Sequence, residues 1–120
     1  MEELKLGESD YRFACIIWEH EPLGSGDLVK LCQQELGWKK STIYTVLKKL
    51  CERGFFQNED AVVTALVKQD QVQKYESEKF IERTFGGSLP RFITAFMNEK
   101  TLTQEQADEL KKLIDQYKEE

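Results

Sequence analysis

The sequence has a single histidine and three cysteines in 120 residues. His20 has no cysteine or carboxylate cluster near it, so no metal-ligand spacing is present, and a surface position at a helix end accounts for it. Cys15, Cys32 and Cys51 are odd in number and far apart, which implies neither a disulfide framework nor a CxxC site. Each lies among apolar neighbours and is expected to be a reduced core residue; a thiol or metal sensor is the sharper alternative. A glycine-rich phosphate loop and a nucleophile elbow are also missing, so no enzyme, no catalytic residue and no cofactor is expected. No apolar run reaches the roughly 18 residues a membrane span needs, so no membrane insertion is expected. The acidic start Met1-Glu2-Glu3-Leu4-Lys5 lacks the basic and apolar parts of a signal peptide, which points to a cytoplasmic protein. Internal repeats and low-complexity stretches are absent. Excess positive charge is missing too: the net charge is −5.

The length suits one globular domain and a short second element. The charge is unevenly placed. Residues 39–53 carry Lys39, Lys40, Lys48, Lys49 and Arg53 against Glu52 alone, a basic segment on an acidic body. Phosphate binding depends on such a local field rather than on the total. A solvated lysine face fits the same residues equally well.

Three short amphipathic helices come first. The first is expected from about Ser9 to Glu19, with Ser9 as its cap and Phe13, Ala14 and Ile17 on one face, widened by Ile16 and Trp18. Glu21-Pro22 stops it. The second starts near Gly24-Ser25-Gly26-Asp27, capped by Gly24 or Ser25, and Gly37 ends it. The third spans about Lys40 to Arg53 and aligns Ile43, Val46, Leu47 and Leu50 in one buried stripe. Only Leu36-Gly37-Trp38-Lys39 separates the second and third, the spacing of a helix-turn-helix.

Phe55-Phe56-Gln57 and Val62–Val67 flank Asn58-Glu59-Asp60 and read as a hairpin. Helices then follow: Lys68 to Phe85, a short one capped by Ser88 with Pro90 in its first turn, and one opened by the capping box Thr103-Gln104-Glu105-Gln106. The expected fold is mainly α: a winged helix-turn-helix domain over residues 1–68 and a helical dimerisation region over 69–120. Ser41, Thr42, Tyr44 and Thr45 would face base edges in duplex DNA; Tyr44 can instead reach a phosphate oxygen. Lys39, Lys40, Lys48 and Lys49 would bind phosphates. Phe85, Leu89, Phe92, Ile93, Phe96, Leu110, Leu113, Ile114 and Tyr117 form the apolar tail surface that a second copy would cover, giving a homodimer; tail helices folded back on the winged helix are the alternative. A winged helix used for protein contacts, without DNA, is the alternative.

These pieces, taken in order, resemble the penicillinase-repressor family over Leu6 to about Lys118. The carrying residues are Leu6-Gly7-Glu8-Ser9-Asp10, Ile17-Trp18-Glu19, Glu21-Pro22-Leu23, Leu36-Gly37-Trp38, the run Ser41 to Leu50, Arg53-Gly54-Phe55, Phe85-Gly86-Gly87-Ser88-Leu89 and Leu102-Thr103-Gln104-Glu105. The resemblance implies a bacterial repressor that binds a palindromic operator as a dimer through its C-terminal helices. In the antibiotic-responsive branch a membrane-bound signalling protease cuts the first dimerisation helix; the matching bond here is Ala95–Phe96. The copper-responsive branch uses a C-terminal cysteine cluster, and no cysteine follows Cys51, which argues against copper control. Three departures stand out. Lys39 replaces a capping serine, leaving a weaker cap unless Ser41 takes over. The wing, Asn58-Glu59-Asp60-Ala61, is acidic instead of basic. The strand after it has Thr64, Leu66 and Val67 where the family carries tyrosines.

Overall fold

A computed structural model describes residues 3–119 of the chain. Its elements run α1 (Glu8–His20), β1 (Leu23–Gly24), α2 (Ser25–Leu36), α3 (Lys40–Glu52), β2 (Phe56–Glu59), β3 (Val62–Ala65), α4 (Gln69–Phe85), α5 (Leu89–Met97) and α6 (Gln104–Tyr117). Two compact units result, Met1–Lys79 and Phe80–Glu120, with α4 running from one into the other.

The first unit closes around one core. Phe13, Ala14, Ile16 and Ile17 of α1 meet Leu28, Val29 and Cys32 of α2, and Ile43, Leu47 and Leu50 of α3. Leu6, Leu23, Phe55, Phe56, Val63, Ala65 and Val72 complete it. Val46, expected in the buried stripe of α3, is only partly buried. Val72 draws the first turns of α4 into this core, so the compact unit extends past residue 68.

Caps set the helix bounds. Gly37 takes the left-handed conformation that ends α2 (φ 69°), which its missing Cβ permits without strain. Helix α1 starts earlier than expected: Gly7, not Ser9, is its N-cap, and Tyr11 N–H donates to Gly7 O at 2.8 Å. Acidic Glu8 and Asp10 in the first turn favour the positive end of the helix dipole in place of a side-chain cap. At α2 the N-cap is Gly24, one of the two expected candidates. Ser88 accepts from Arg91 N–H at 3.2 Å, and Thr103 with Gln106 forms the reciprocal capping box.

The sheet is antiparallel in the order β1-β3-β2. Asn58 and Glu59, expected in the turn, belong to β2; the turn is Asp60-Ala61, both at positive φ (52° and 62°). Two left-handed residues match the twist of a two-residue hairpin, which ordinarily takes glycine at the second position. Strand β1 is not foreseen from sequence, because two residues carry no alternation to detect. It pairs Leu23 with Val63 and Gly24 with Val62. Ala61 O also accepts from Ser25 N–H at 2.8 Å, so the hairpin is fastened to the start of α2.

In the second unit, neither α5 nor α6 has a buried residue. Phe80, Phe85, Phe92 and Phe96 form a run of aromatic contacts with centroids 5.5–5.9 Å apart, most of them edge-on. Edge-to-face packing suits the ring quadrupole and holds α5 against the end of α4.

Candidate nucleic-acid interface

Helix α3 is held by its apolar face. Ile43 and Leu50 are fully buried, and the opposite face is left to solvent. Trp38, in the turn between α2 and α3, stacks flat on Phe13 of α1 (5.8 Å between centroids, 6° between planes). That contact sets the entry of α3, because Trp38 lies two residues before the first helical residue.

Ser41, Thr42, Tyr44 and Thr45 are all exposed; Tyr44 keeps 40% of its surface accessible. Thr45 Oγ1 donates to Ser41 O at 2.9 Å, so in this rotamer Thr45 offers outward its oxygen lone pairs and its methyl group. Lys39 is the N-cap of α3 and makes no side-chain cap bond, as expected from its chemistry; Ser41 lies inside the first turn and does not replace it. The first amides of α3 are therefore unpaired by any side chain and open to an outside acceptor.

The basic residues divide into two sets. Lys39, Lys40 and Lys48 are exposed and form no ion pair among the described residues. Lys49, grouped with them by sequence, donates to both carboxylate oxygens of Asp10 at 3.0 and 2.8 Å. Asp10 is largely covered, so Lys49 is compensated within the chain. Arg53 also works inward. Its guanidinium donates to Lys5 O at 2.8 Å and Glu3 O at 3.3 Å and lies 4.8 Å from the Phe55 ring centre. On the flank of α3 that faces α1, Lys49 is thus compensated and Arg53 is engaged within the chain, while the outer face and the flank toward α2 keep their lysines free of ion pairs among the described residues.

The flank toward α2 adds residues not foreseen from sequence. A groove of about 340 Å³ is lined by Gly26, Val29, Lys30 and Gln33 of α2 and by Lys40 and Tyr44 of α3. A signal for them exists, since positions 26, 29, 30 and 33 fall on one helix face, but the density of charge points only to 39–53.

The wing tip carries Glu59 and Asp60, both exposed. Its base is held by Glu21, whose carboxylate accepts from Ala65 N–H at 2.9 Å and pairs with Lys68 at 3.1 Å.

In the tail, Phe85 and Phe92 are half-buried in the aromatic run, whereas Leu89, Ile93, Phe96, Leu110, Leu113, Ile114 and Tyr117 are exposed. Ala95 and Phe96 lie inside helix α5.

Of the three cysteines expected in the core, Cys32 is buried there, Cys51 packs against it partly buried, and Cys15 is only partly buried. Burial, with Glu35 nearby, pushes the Cys32 thiol up to about 11. Burial raises Cys15 and Cys51 as well. Among the described residues no group of three or more His, Cys, Asp and Glu side chains is placed to hold a metal, and no helix is long and apolar enough to cross a membrane.

Three helices with a short turn before the third, closed by a hairpin, define a winged helix-turn-helix protein. The profile of the penicillinase repressor family matches residues 6–116. The chain belongs to that family of transcriptional repressors, which are generally not enzymes. It is 20% identical over 118 residues to a penicillinase repressor of Bacillus licheniformis, covering 95% of this chain and 92% of that one. It is also 26% identical over 110 residues to an uncharacterized 16.5 kDa protein in the ptsI 3′ region of Latilactobacillus sakei, covering 88% of this chain and 75% of that one.

Proposed function

We propose that this repressor binds a palindromic operator in duplex DNA as a homodimer, with α3 of each copy in the major groove. The observation that carries this reading is the outer face of α3: exposed hydroxyls at Ser41, Thr42, Tyr44 and Thr45 among the unpaired Lys39, Lys40 and Lys48, with Trp38 fixing the entry of the helix. Hydroxyls pair with several base edges, and the methyl of Thr42 or Thr45 can meet a thymine methyl. The lysines set register on the phosphates without reading sequence. Lys49 contributes less than its neighbours, because Asp10 must release it first. The acidic wing leaves most of the readout to α3.

Dimerisation is supported by the second unit. The exposed apolar residues of α5 and α6 need cover, and a second copy related by two-fold symmetry supplies it for both chains at once. Two α3 helices about 34–36 Å apart then meet successive half-sites. Release through cleavage of Ala95–Phe96 by a membrane-bound signalling protease, in response to a β-lactam or cell-wall signal, belongs to this reading. That bond is helical here, so cutting it requires the last turn of α5 to unwind.

Selecting duplexes from a random pool with the purified protein tests the reading. The selected duplex should bind with an affinity that falls steeply with salt. Replacing Thr42 and Thr45 with Ala should cost about 1–3 kcal/mol per base no longer read on the selected duplex, and little on random DNA. Equal losses on both would remove the assignment of these residues to bases. No binding even at low salt would leave a protein-contact module, which the acidic wing and net charge of −5 would suit.

A further inference from the structure

We propose that the groove between α2 and α3 seats one backbone phosphate of the duplex, held by Lys30, Gln33, Lys40 and Tyr44; this rests on the DNA-binding reading above. The groove holds about 340 Å³ and no carboxylate lines it. Its polar groups come from both helices: ammonium groups from Lys30 and Lys40, an amide from Gln33, a phenol hydroxyl from Tyr44. All four can donate, and a phosphodiester oxygen only accepts. Neither Lys30 nor Lys40 forms an ion pair among the described residues, in contrast to Lys49 beside Asp10. Asp27, the acidic residue in the first turn of α2, sits beside Gly24, where an added Cβ would lie 3.6 Å from its Oδ2, and is not part of the lining. Gly26 leaves its edge of the groove open, since a Cβ there would meet nothing within 4 Å. Val29 supplies a buried apolar floor.

A duplex phosphate fits this groove better than a free anion because of what adjoins it. Lys40 and Tyr44 are one helical turn apart on α3, beside the exposed Ser41 and Thr45. A strand whose bases face those hydroxyls carries its backbone along the flank of the helix, where the groove opens. Tyr44 then holds a phosphate oxygen and leaves the bases to Ser41, Thr42 and Thr45. The clamp spans both helices of the motif, so it also fixes the angle at which α3 enters the major groove.

The test compares Lys30→Ala, the Lys30→Ala/Lys40→Ala pair and Tyr44→Phe with the full-length wild type, with Lys112→Ala on α6 as a charge-matched control. Fluorescence anisotropy on the selected duplex and on a random duplex of equal length gives affinity across a salt series. Lys30→Ala should weaken binding by the same factor on both duplexes and flatten the slope of log affinity against log salt, and the double variant should bring the flattening to about 0.9, the value for one phosphate. Tyr44→Phe should lose about fivefold on both, the loss of one hydrogen bond. Lys112→Ala should change neither. All positions are exposed, and thermal melts should match the wild type. A wild-type slope in Lys30→Ala, with specific binding intact, overturns the clamp and leaves the DNA-binding reading standing. A Tyr44→Phe loss confined to the selected duplex returns Tyr44 to base readout and also overturns it. Displacement of the duplex by inorganic phosphate at fixed ionic strength would reassign the groove to a free anion. Absence of any wild-type binding removes both readings.

Discussion

The two units of this chain use apolar residues in opposite ways. In Met1–Lys79 most of the described large apolar side chains turn inward, and Phe13, Phe55, Phe56, Ile43 and Leu50 are essentially inaccessible. In α5 and α6 no residue is buried, and Ile114 and Tyr117 are 64% and 81% exposed. The first unit has enough elements to close a core, because a hairpin and the start of α4 cap a three-helix layer. The second has short helices of strong one-sided character and no layer of its own to cover that side. One unit closes a core of its own; in the other, α5 and α6 leave their apolar residues exposed.

The largest effect should come from the closed core. Phe56→Ala removes a buried ring that packs 6.0 Å from Trp18, and should cost about 3–5 kcal/mol in urea unfolding. A loss under about 1 kcal/mol would mean that the first unit is not the tight core described. The open face comes next. Leu110→Asp together with Leu113→Asp should turn the proposed dimer into a monomer in sedimentation, while the melting of the first unit changes little. Persistence of the dimer would place the interface elsewhere.

Smaller effects separate the two flanks of α3. Lys49→Ala breaks a partly exposed pair with Asp10 and should cost no more than about 1 kcal/mol of stability. It should flatten the salt dependence of DNA binding less than Lys48→Ala does; the reverse order would return Lys49 to the phosphate set. At the wing, Ala61→Gly should stabilise the fold by up to about 1 kcal/mol, because Ala61 holds a left-handed conformation that favours glycine. A destabilised variant would show that the backbone freedom gained by the unfolded chain outweighs that strain. The smallest effect concerns Cys32. Its folded thiol titrates near 11, above the ordinary 9.0, so its contribution to stability is complete below about pH 9 and is lost as the pH rises toward 11. Alkylation at about pH 8 should accordingly spare Cys32 in the native protein and modify it in denaturant.

Much of this architecture is legible in local signals. Gly37 marks the end of α2, Ser88 and the Thr103–Gln106 box mark the starts of α5 and α6, and the spacing of Ile43, Leu47 and Leu50 sets the face of α3. These are short-range effects, fixed by backbone sterics, capping and helical period. The misplacements are also local. Ser9 has the chemistry of a cap, yet Gly7 holds that position. The wing turn falls two residues later than its composition suggests, because Asn and Asp favour turns even where Asn58 pairs with Val63.

The sequence by itself determined the class of fold, the exposed hydroxyl face of α3 and the apolar stripes of the tail. Each follows from residues within a turn or two of one another. Tertiary structure alone decided which lysines remain available. Lys49 meets Asp10 from 39 positions away, Trp38 reaches Phe13 across the motif, and Lys30 comes to lie beside Lys40 and Tyr44. Charge in a sequence is a sum over neighbours in the chain. A phosphate is attracted by neighbours in space, and only the packing of α1 and α2 against α3 defines those.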